Sequence, residues 1–235
     1  MVETIYRIPD APRLALLADL HGQDYRLAVN SLKQHQPEII AVAGDILSRF
    51  YLMEDKSPLD TQKRIMPFLC ASAAIAPTYL SLGNHEHILD GADLKRIKET
   101  GVVVLDNSWI KCGKLVIGGL TSGFCLSYRA FKEFVDFGPD TSWLAEFAAV
   151  PGFHILLSHH PEYYPLIPEG IELILSGHAH GGQWRFLGKG VSAPGQGLFP
   201  KYTKGVYGRM VVSTGLANTA RIPRLFNPTE IVYIN

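Results

Sequence analysis

The sequence predicts an α/β protein, and three observations support this prediction. In the first half of the chain, short apolar runs alternate with segments of helical spacing, the pattern of a mainly parallel sheet covered by helices. The second half contains more strand-like runs, which indicates a second sheet with mixed pairing. Five of the apolar runs end in aspartate, histidine or asparagine. Because open α/β sheets bind ligands beyond the carboxyl ends of their strands, we expect the functional site at those ends.

The predicted strands are short apolar runs. The first, residues 13–18, is apolar almost throughout, as expected for a strand buried on both faces. The other strands predicted before the last histidine motif are residues 38–43, 77–82, 102–105, 115–120, 153–157 and 171–175. Strands of an antiparallel tail are predicted at residues 183–186, 206–214 and 230–234.

Helices are predicted between these strands. They are expected at residues 25–36, from residue 57 onward with a division near Pro67, at residues 93–100 and at residues 142–149. Asp24 is interpreted as a helix cap and not as a ligand.

Composition limits the class of protein. A chain of 235 residues that is 47% hydrophobic can bury a large core, so we expect residues 1–235 to form one domain. Lysine plus arginine and aspartate plus glutamate each number 22, and this balance argues against a stable nucleic-acid partner.

The spacing of the cysteines and the lack of a long apolar segment predict a cytoplasmic protein. Cys70, Cys112 and Cys125 are widely spaced and form no CxxC pair, as expected of reduced thiols. The first 12 residues contain no apolar core of a signal peptide, and no run approaches the ~20 apolar residues of a membrane span.

Two histidines one residue apart, His178 and His180, lie in a glycine-rich turn directly after the strand at residues 171–175. In an extended segment such residues point the same way, so both imidazoles can face one site. On their own they are equally well interpreted as polar residues at a strand end. The same kinds of residue at four other strand ends favour a ligand site.

Those other strand ends supply carboxylates, an amide and further imidazoles. The full set of candidate ligands is Asp19, His21, Asp45, Asn84, His85, His159, His178 and His180. Oxygen and imidazole ligands suit Mn²⁺, Fe or Zn²⁺. The set is too large for one tetrahedral ion and suits two ions that share a carboxylate, the arrangement of dinuclear hydrolases.

Five ordered motifs carry a resemblance to a known family. Asp-Leu-His at residues 19–21, Gly-Asp at 44–45, Gly-Asn-His-Glu at 83–86, His-His-Pro at 159–161 and Gly-His-Ala-His at 177–180 resemble the motifs of the calcineurin-like metallophosphoesterases. The residues after the last motif, including Gly181-Gly182-Gln183, resemble the bacterial YkuE/YaeI-type phosphodiesterase branch. The resemblance implies a four-layer α/β/β/α sandwich of two mixed sheets.

The resemblance also implies a role for each candidate residue. The first metal would be held by Asp19, His21 and His180, the second by Asn84, His159 and His178, and Asp45 would bridge both. His85 matches the family's non-ligand histidine beside the leaving group.

Three departures from the family pattern are visible. Ala18 stands where many members have serine, which we expect to be harmless. Arg49 stands where an acidic residue often follows the Gly-Asp pair, which would alter hydrogen bonding around the ligands. The membrane or export segment of some members is not expected.

The implied activity is phosphodiester hydrolysis by a metal-bridging hydroxide, with His85 as general acid and a small-molecule, lipid-linked or nucleotide-linked phosphoester as substrate. The alternatives are a phosphomonoesterase or nucleotide- or lipid-linked pyrophosphatase of the same fold, a dinuclear metal hydrolase of non-phosphorus esters or amides, and a non-catalytic protein-binding scaffold. The sequence leaves the oligomeric state open.

Two further groups of residues receive an interpretation. His154 is interpreted as structural, and His160 is expected to point away from its ligand neighbour, His159. The tail residues Trp184, Phe186, Leu198, Phe199, Tyr202 and Tyr207 are interpreted as core, with an apolar wall beside the metals as the alternative. If they are exposed, peripheral membrane contact is expected.

Overall fold

The structure is a computed structural model that describes residues 1–48, 56–126, 134–218 and 222–235. Arg49, one of the departures from the family pattern, lies outside the described residues.

The first of two large sheets has six strands, ordered β1-β18-β2-β3-β4-β5. Its strands are β1 (Val2–Tyr6), β2 (Leu14–Leu17), β3 (Ile39–Ala43), β4 (Thr78–Ser81), β5 (Val103–Leu105) and β18 (Glu230–Ile234). Strands β2 to β5 pair in parallel, whereas β18 is antiparallel to β2 and parallel to β1.

The second sheet also has six strands, ordered β16-β17-β11-β10-β7-β6. Its strands are β6 (Ser108–Cys112), β7 (Leu115–Leu120), β10 (Phe153–Ser158), β11 (Leu173–Ser176), β16 (Gly205–Tyr207) and β17 (Met210–Val212). The four central strands pair in parallel, and the edge strands β6 and β16 are antiparallel to their neighbours.

Shorter elements complete the fold. Three two-stranded ribbons are formed by β8 (Phe124–Leu126) with β9 (Phe134–Asp136), β12 (Arg185–Phe186) with β13 (Lys189–Gly190), and β14 (Ser192–Ala193) with β15 (Gly197–Leu198). The helices are α1 (Arg26–His35), α2 (Pro58–Thr61), α3 (Ile65–Ala73), α4 (Gly91–Glu99) and α5 (Leu144–Ala149).

Alternation along the buried strands produces four layers. In β2, Leu14 and Leu16 face a core shared with second-sheet residues such as Leu157, while Ala15 and Leu17 pack in another cluster with helical residues such as Phe68. On the outer face of the second sheet, a third cluster contains residues of α5. The architecture is therefore a helix layer, two mixed sheets and a second helix layer, which confirms the predicted fold class.

The tail differs from its prediction. Val206 to Thr214 is not one strand, because the chain turns at Gly208 between β16 and β17. Strand β18 inserts between β1 and β2, away from the other tail strands. The tail therefore contributes to both sheets and does not form an antiparallel unit of its own.

Two smaller expectations also require correction. The helical region after Ser57 is divided between α2 and α3, and Pro67 lies within the first turn of α3, where its missing N–H costs no helical hydrogen bond. Of the tail side chains interpreted as core, Tyr202 is buried, whereas Phe186, Leu198 and Phe199 are exposed.

Within the described ranges, none of the helices has the length and apolar character that crossing a membrane requires.

Candidate metal centre

The strand ends of both sheets converge at one buried site. Asp19 and His21 follow β2, and Asp45 follows β3. From the second sheet, His159 follows β10, and His178 and His180 follow β11. These side chains are buried or nearly so, although polar groups of this kind normally remain in water.

The backbone at this site adopts an unusual conformation. The φ angles of Asp19, His21, Asp45, His178 and His180 are 55°, 47°, 54°, 62° and 46°. Left-handed residues other than glycine are uncommon, and they cluster where a fold holds functional groups. The chain therefore turns sharply after β2, β3 and β11.

The converging ligand atoms form four overlapping groups of three. In each group the atoms lie within 4.8 Å of one another, a spacing that could hold a metal ion. The groups are Asp19–His21–His180, His21–Asp45–His85, Asp19–Asp45–His159 and His159–His160–His178. Asp45 belongs to two groups, and its Oδ2 atom lies 3.2 Å from Nε2 of His159 and 3.8 Å from Nε2 of His21.

Several of these atoms are buried and have no hydrogen-bond partner among the residues that the structure describes. They are Oδ1 of Asp19, Nε2 of His21, Oδ1 of Asn84 and Nε2 of His159. Burying an unpaired polar atom is costly, so such atoms call for an explanation. Bound cations would satisfy these atoms, and their chemistry fits divalent metals.

Two histidines are oriented by backbone carbonyls. Nδ1 of His21 lies 2.9 Å from the carbonyl oxygen of Leu47, and Nδ1 of His159 lies 2.7 Å from that of Ala43. In this arrangement each Nδ1 carries the proton and donates it to the carbonyl. When the ring is neutral, its Nε2 lone pair therefore faces the site, as in histidines that bind metals.

Asp19 and Asp45 each accept a backbone hydrogen bond with one carboxylate oxygen. Oδ2 of Asp19 accepts the backbone N–H of His178 at 3.1 Å, and Oδ1 of Asp45 accepts that of His85 at 3.0 Å. The second oxygen of each carboxylate therefore faces the site.

The protonation states in the metal-free protein follow from this packing. Burial would raise the pKa of Asp19, but the surrounding histidines lower it to about 2. Although burial opposes it, the Asp45 carboxylate raises the pKa of His159 to about 10. Burial and the adjacent histidines hold the pKa of His178 well below its usual range. A cation would compete with the His159 proton for the Asp45 charge.

His180 contacts an arginine that the sequence did not indicate. Nη2 of Arg224 lies 3.1 Å from Nδ1 of His180, and since a guanidinium can only donate, Nδ1 accepts. Burial lowers the pKa of His180 to about 4. Metal binding through Nε2 of His180 requires the Arg224 hydrogen bond to be released, because a neutral ring leaves only one nitrogen unprotonated.

The expected orientation of His160 is wrong. Its ring centroid lies 3.9 Å from that of His178 and 5.2 Å from that of His159. Both ring nitrogens have partners, with Nδ1 3.0 Å from Oε1 of Glu162 and Nε2 2.7 Å from Oγ of Ser122. His160 therefore packs against the ring of His178, although its own backbone is extended as the prediction assumed.

Glu86 is the buried residue whose role the sequence did not reveal. Its carboxylate accepts three backbone N–H groups, from Asp45 at 2.8 Å, from Gly83 at 2.8 Å and from Leu47 at 3.0 Å. Burial, reinforced by the Asp45 carboxylate, raises its pKa to about 7. Glu86 thus joins the turn after β3 to the turn after β4.

Two candidate residues follow β4. The amide of Asn84 is buried, and its Oδ1 atom is one of the unpaired atoms described above. Nε2 of His85 lies 3.6 Å from Oδ2 of Asp45. Burial lowers the pKa of His85, and the Asp45 carboxylate opposes that shift.

His154 has the structural contacts expected of it, and Ala18 lies beside a glycine of the last motif. Nδ1 of His154 lies 3.0 Å from Glu172, and its ring packs edge-on against Phe147 with 5.1 Å between centroids. Ala18 lies against Gly177, where an added Cβ would come within 2.5 Å of the Ala18 methyl group.

Known proteins resemble this chain in sequence and in fold. An uncharacterized metallophosphoesterase of Campylobacter jejuni is 27% identical over 95% of this chain and 58% of its own length. The uncharacterized metallophosphoesterase YkoQ of Bacillus subtilis is 26% identical over 71% of this chain and 60% of its own length. The chain thus spans about three-fifths of the length of these relatives.

A solved structure shares the architecture. The crystal structure of a dimetal phosphatase from Danio rerio superposes with a TM-score of 0.52 and 14% identity, covering 73% of this chain and 83% of the other. At that identity the similarity concerns the fold. The family model described as calcineurin-like phosphoesterase matches residues 12–182, which include all five motifs. With that match over most of its length, the chain belongs to the calcineurin-like phosphoesterase family.

Proposed function

We propose that this protein is a dinuclear metal-dependent phosphoesterase that acts on phosphodiesters. The observation that carries the proposal is the position of Asp45, which belongs to one group of candidate ligands with His21 and to another with His159. Its free oxygen therefore faces histidines from both sheets. A carboxylate shared between two groups of ligands suits two ions better than one.

In the proposal, each metal has ligands from both sheets. Asp19, His21 and His180 would hold the first ion, Asn84, His159 and His178 would hold the second, and Asp45 would be shared between them. The unpaired buried atoms of Asp19, His21, Asn84 and His159 support this assignment. Mn, Fe and Zn all suit these ligands.

When bound, the two ions activate water and offset the charge of the phosphoryl oxygens. The protein orients the groups that surround them. Carbonyl oxygens fix the rings of His21 and His159, and Glu86 fixes the turn that presents Asp45. This preorganisation keeps the ligands in place before the substrate arrives.

His85 is proposed as the general acid. Its Nε2 atom faces Asp45, close to the ligand groups, and it can donate a proton to the leaving oxygen. The Asp45 carboxylate and the negative charge of the substrate favour the protonated ring, against the effect of burial. Loss of such a proton donor typically costs ~10²–10⁴-fold in rate.

Phosphodiesters are preferred over the other substrate classes because the residues around the last motif resemble a branch of phosphodiesterases. Phosphomonoesters and nucleotide- or lipid-linked pyrophosphates are the alternatives. We further propose that residues 1–235 act as one domain and that the protein works in the cytoplasm.

The test is a substrate panel run on protein of known metal content. Purified protein is stripped with a chelator and reloaded with Mn, Fe or Zn, and the metals are counted by mass spectrometry. Hydrolysis of bis-p-nitrophenyl phosphate, p-nitrophenyl phosphate, a nucleotide-linked pyrophosphate and p-nitrophenyl acetate is then compared. We expect two ions per chain and the highest kcat/KM for the diester. Preference for the monoester or the pyrophosphate would overturn the diester assignment, and one ion or none would overturn the dinuclear centre.

A further inference from the structure

Large apolar side chains are exposed on the segments that follow the last histidine motif. We call this surface the apolar rim. Its residues are Phe186, Leu187, Leu198, Phe199, Leu225 and Phe226, and all six side chains are exposed. Exposed leucine and phenylalanine in such numbers on one part of a chain mark an interaction surface.

The rim residues lie on neighbouring segments. The rings of Phe186 and Phe226 have centroids 5.9 Å apart, and the N–H of Arg185 donates to the carbonyl of Leu225 at 3.0 Å. The N–H of Phe199 donates to Val191 at 2.8 Å, and the N–H of Val191 donates to Trp184 at 2.9 Å. These bonds place three stretches of backbone side by side, so the rim is one surface.

The same segments border the metal centre. Asn227 directly follows the rim residue Phe226, and its side-chain amide donates to the backbone carbonyl of His180 at 2.7 Å. On the other side, a Cβ added to Gly195, in the turn between β14 and β15, would lie 3.5 Å from Nε2 of His178. A surface that covered the rim would therefore lie over the mouth of the site.

The charges on this part of the chain have one sign. No aspartate or glutamate lies between Glu172 and Glu230, whereas seven lysines and arginines do, although the two classes are equal in the whole chain. Lys189 and Lys201 are exposed beside rim residues, and neither forms an ion pair with a described residue. Although Glu162 lies beside Gly195, the residues that follow the last motif carry an excess of positive charge, which attracts anions.

We propose that the apolar rim docks the protein on the surface of an anionic phospholipid bilayer. Exposed apolar side chains can insert into a lipid bilayer, which does not need a complementary shape. Basic residues next to them add attraction to anionic headgroups. A second copy that packed on the rim by two-fold symmetry would face positive charge with positive charge, which disfavours a dimer there. Docking goes beyond the proposed hydrolysis. Its consequence, that the scissile phosphoester belongs to a headgroup, rests on the proposed function.

Vesicle binding without turnover tests the docking. The metal-loaded protein is sedimented with vesicles of phosphatidylcholine alone or of phosphatidylcholine mixed with phosphatidylglycerol, at low and high salt. We expect binding to the mixed vesicles that weakens with salt, because screening reduces the contribution of the lysines. The double variant Leu198→Ser/Phe199→Ser should bind about tenfold more weakly or worse, because burial of a leucine or phenylalanine contributes on that order. Lys189→Glu/Lys201→Glu should lose the preference for anionic vesicles.

Leu27→Ser is the matched control, because Leu27 is 66% exposed on α1, away from the rim segments. It should bind like the unchanged protein. Activity on a water-soluble diester, measured on every variant, shows whether the rim changes leave the fold intact and reports separately on the proposed hydrolysis. Absence of binding to the mixed vesicles, equal loss in Leu27→Ser, or a dimer in sedimentation equilibrium that the rim variant dissociates would overturn the proposal.

Discussion

The carboxylate of Glu86 accepts the backbone N–H of Asp45 at 2.8 Å, so a residue after β4 fixes the residue that lies at the middle of the site. The same carboxylate accepts the N–H groups of Gly83 and Leu47. Glu86 is 2% exposed, and it therefore acts as an internal brace between the turns that end β3 and β4.

We expect Glu86→Gln to weaken metal binding and to destabilise the protein. A glutamine offers one acceptor oxygen where the carboxylate offers two, so at least one buried N–H loses its partner, at a cost of ~1–3 kcal/mol. A displaced Asp45 should lower metal affinity by ~10–100-fold. Calorimetric metal titration and urea unfolding measure the two effects.

Glu99→Gln is the control for this change, because Glu99 is exposed at the C-terminal end of α4. It should change neither quantity. Unaltered metal affinity in Glu86→Gln would show that Asp45 does not depend on this brace.

Asp45→Asn should reduce occupancy of both metals together. The amide retains the shape and one acceptor oxygen but removes the negative charge that two ions would share. We expect activity to fall by at least ~100-fold, with both ions lost at metal concentrations that saturate the unchanged protein. Asp24→Asn, a change at an exposed carboxylate that accepts the backbone N–H of Arg26, is the control. Retention of both ions at normal affinity in Asp45→Asn would remove Asp45 from the bridging role.

Much of this site could be predicted from the sequence, because its residues follow strands that are easily recognised. The apolar runs before Asp19, Asp45 and His159 end at one edge of each sheet, and parallel pairing brings those ends together. Long-range pairing explains why strand β1 was not predicted. Strand β1 is partly exposed, and its partner among the described strands is β18, at the other end of the chain, so its local sequence carries a weak strand signal.

The supporting residues of the site were harder to predict for a similar reason. Arg224 reaches His180 from a loop of the tail, and no periodic pattern marks such a contact. Glu86 lies in a recognised motif, but its three N–H donors are defined only when two turns meet. The ring of His160 is held by Ser122 and Glu162, which are tertiary contacts that strand periodicity cannot describe.

Glu172 should stabilise the fold in a pH-dependent manner, away from the metal centre. Its carboxylate accepts the backbone N–H of His154 at 2.7 Å. Burial works against ionisation, but the hydrogen bonds from His154 lower the pKa of Glu172. Because the folded pKa is lower than the unfolded one, the stabilisation is complete above the unfolded value of about 4.3 and is lost as pH falls through the folded value.

The corresponding test is Glu172→Gln. At neutral pH we expect a loss of about 0.5–1 kcal/mol in the free energy of unfolding, a reduced figure because 43% of the Glu172 side chain is exposed. Urea unfolding should show this difference shrinking at acid pH. Glu169→Gln, at a side chain that is 96% exposed, should show little change at either pH. A difference that stays constant down to acid pH would contradict the assigned role.

The last prediction separates the role of His85 from that of the ligands. If His85 donates a proton and binds no metal, His85→Ala should keep both ions while its rate loss depends on the leaving group. Alkoxides need a proton to leave, so their diesters should lose ~10²–10⁴-fold in kcat/KM. Nitrophenolate leaves readily without a proton, and its diesters should lose far less.

His178→Ala provides the contrast, because a missing ligand impairs attack on every substrate. Both classes of diester should then lose activity to a similar degree, and the metal content should fall. The measurement is kcat/KM for an alkyl and a nitrophenyl diester, with metals counted on the same samples. The structure places Nε2 of His85 in a group with His21 and Asp45 that could itself hold an ion, so metal content decides the issue. Equal losses on the two substrates, or a His85→Ala protein that sheds an ion, would make His85 a ligand and would leave the proton donor to be found elsewhere.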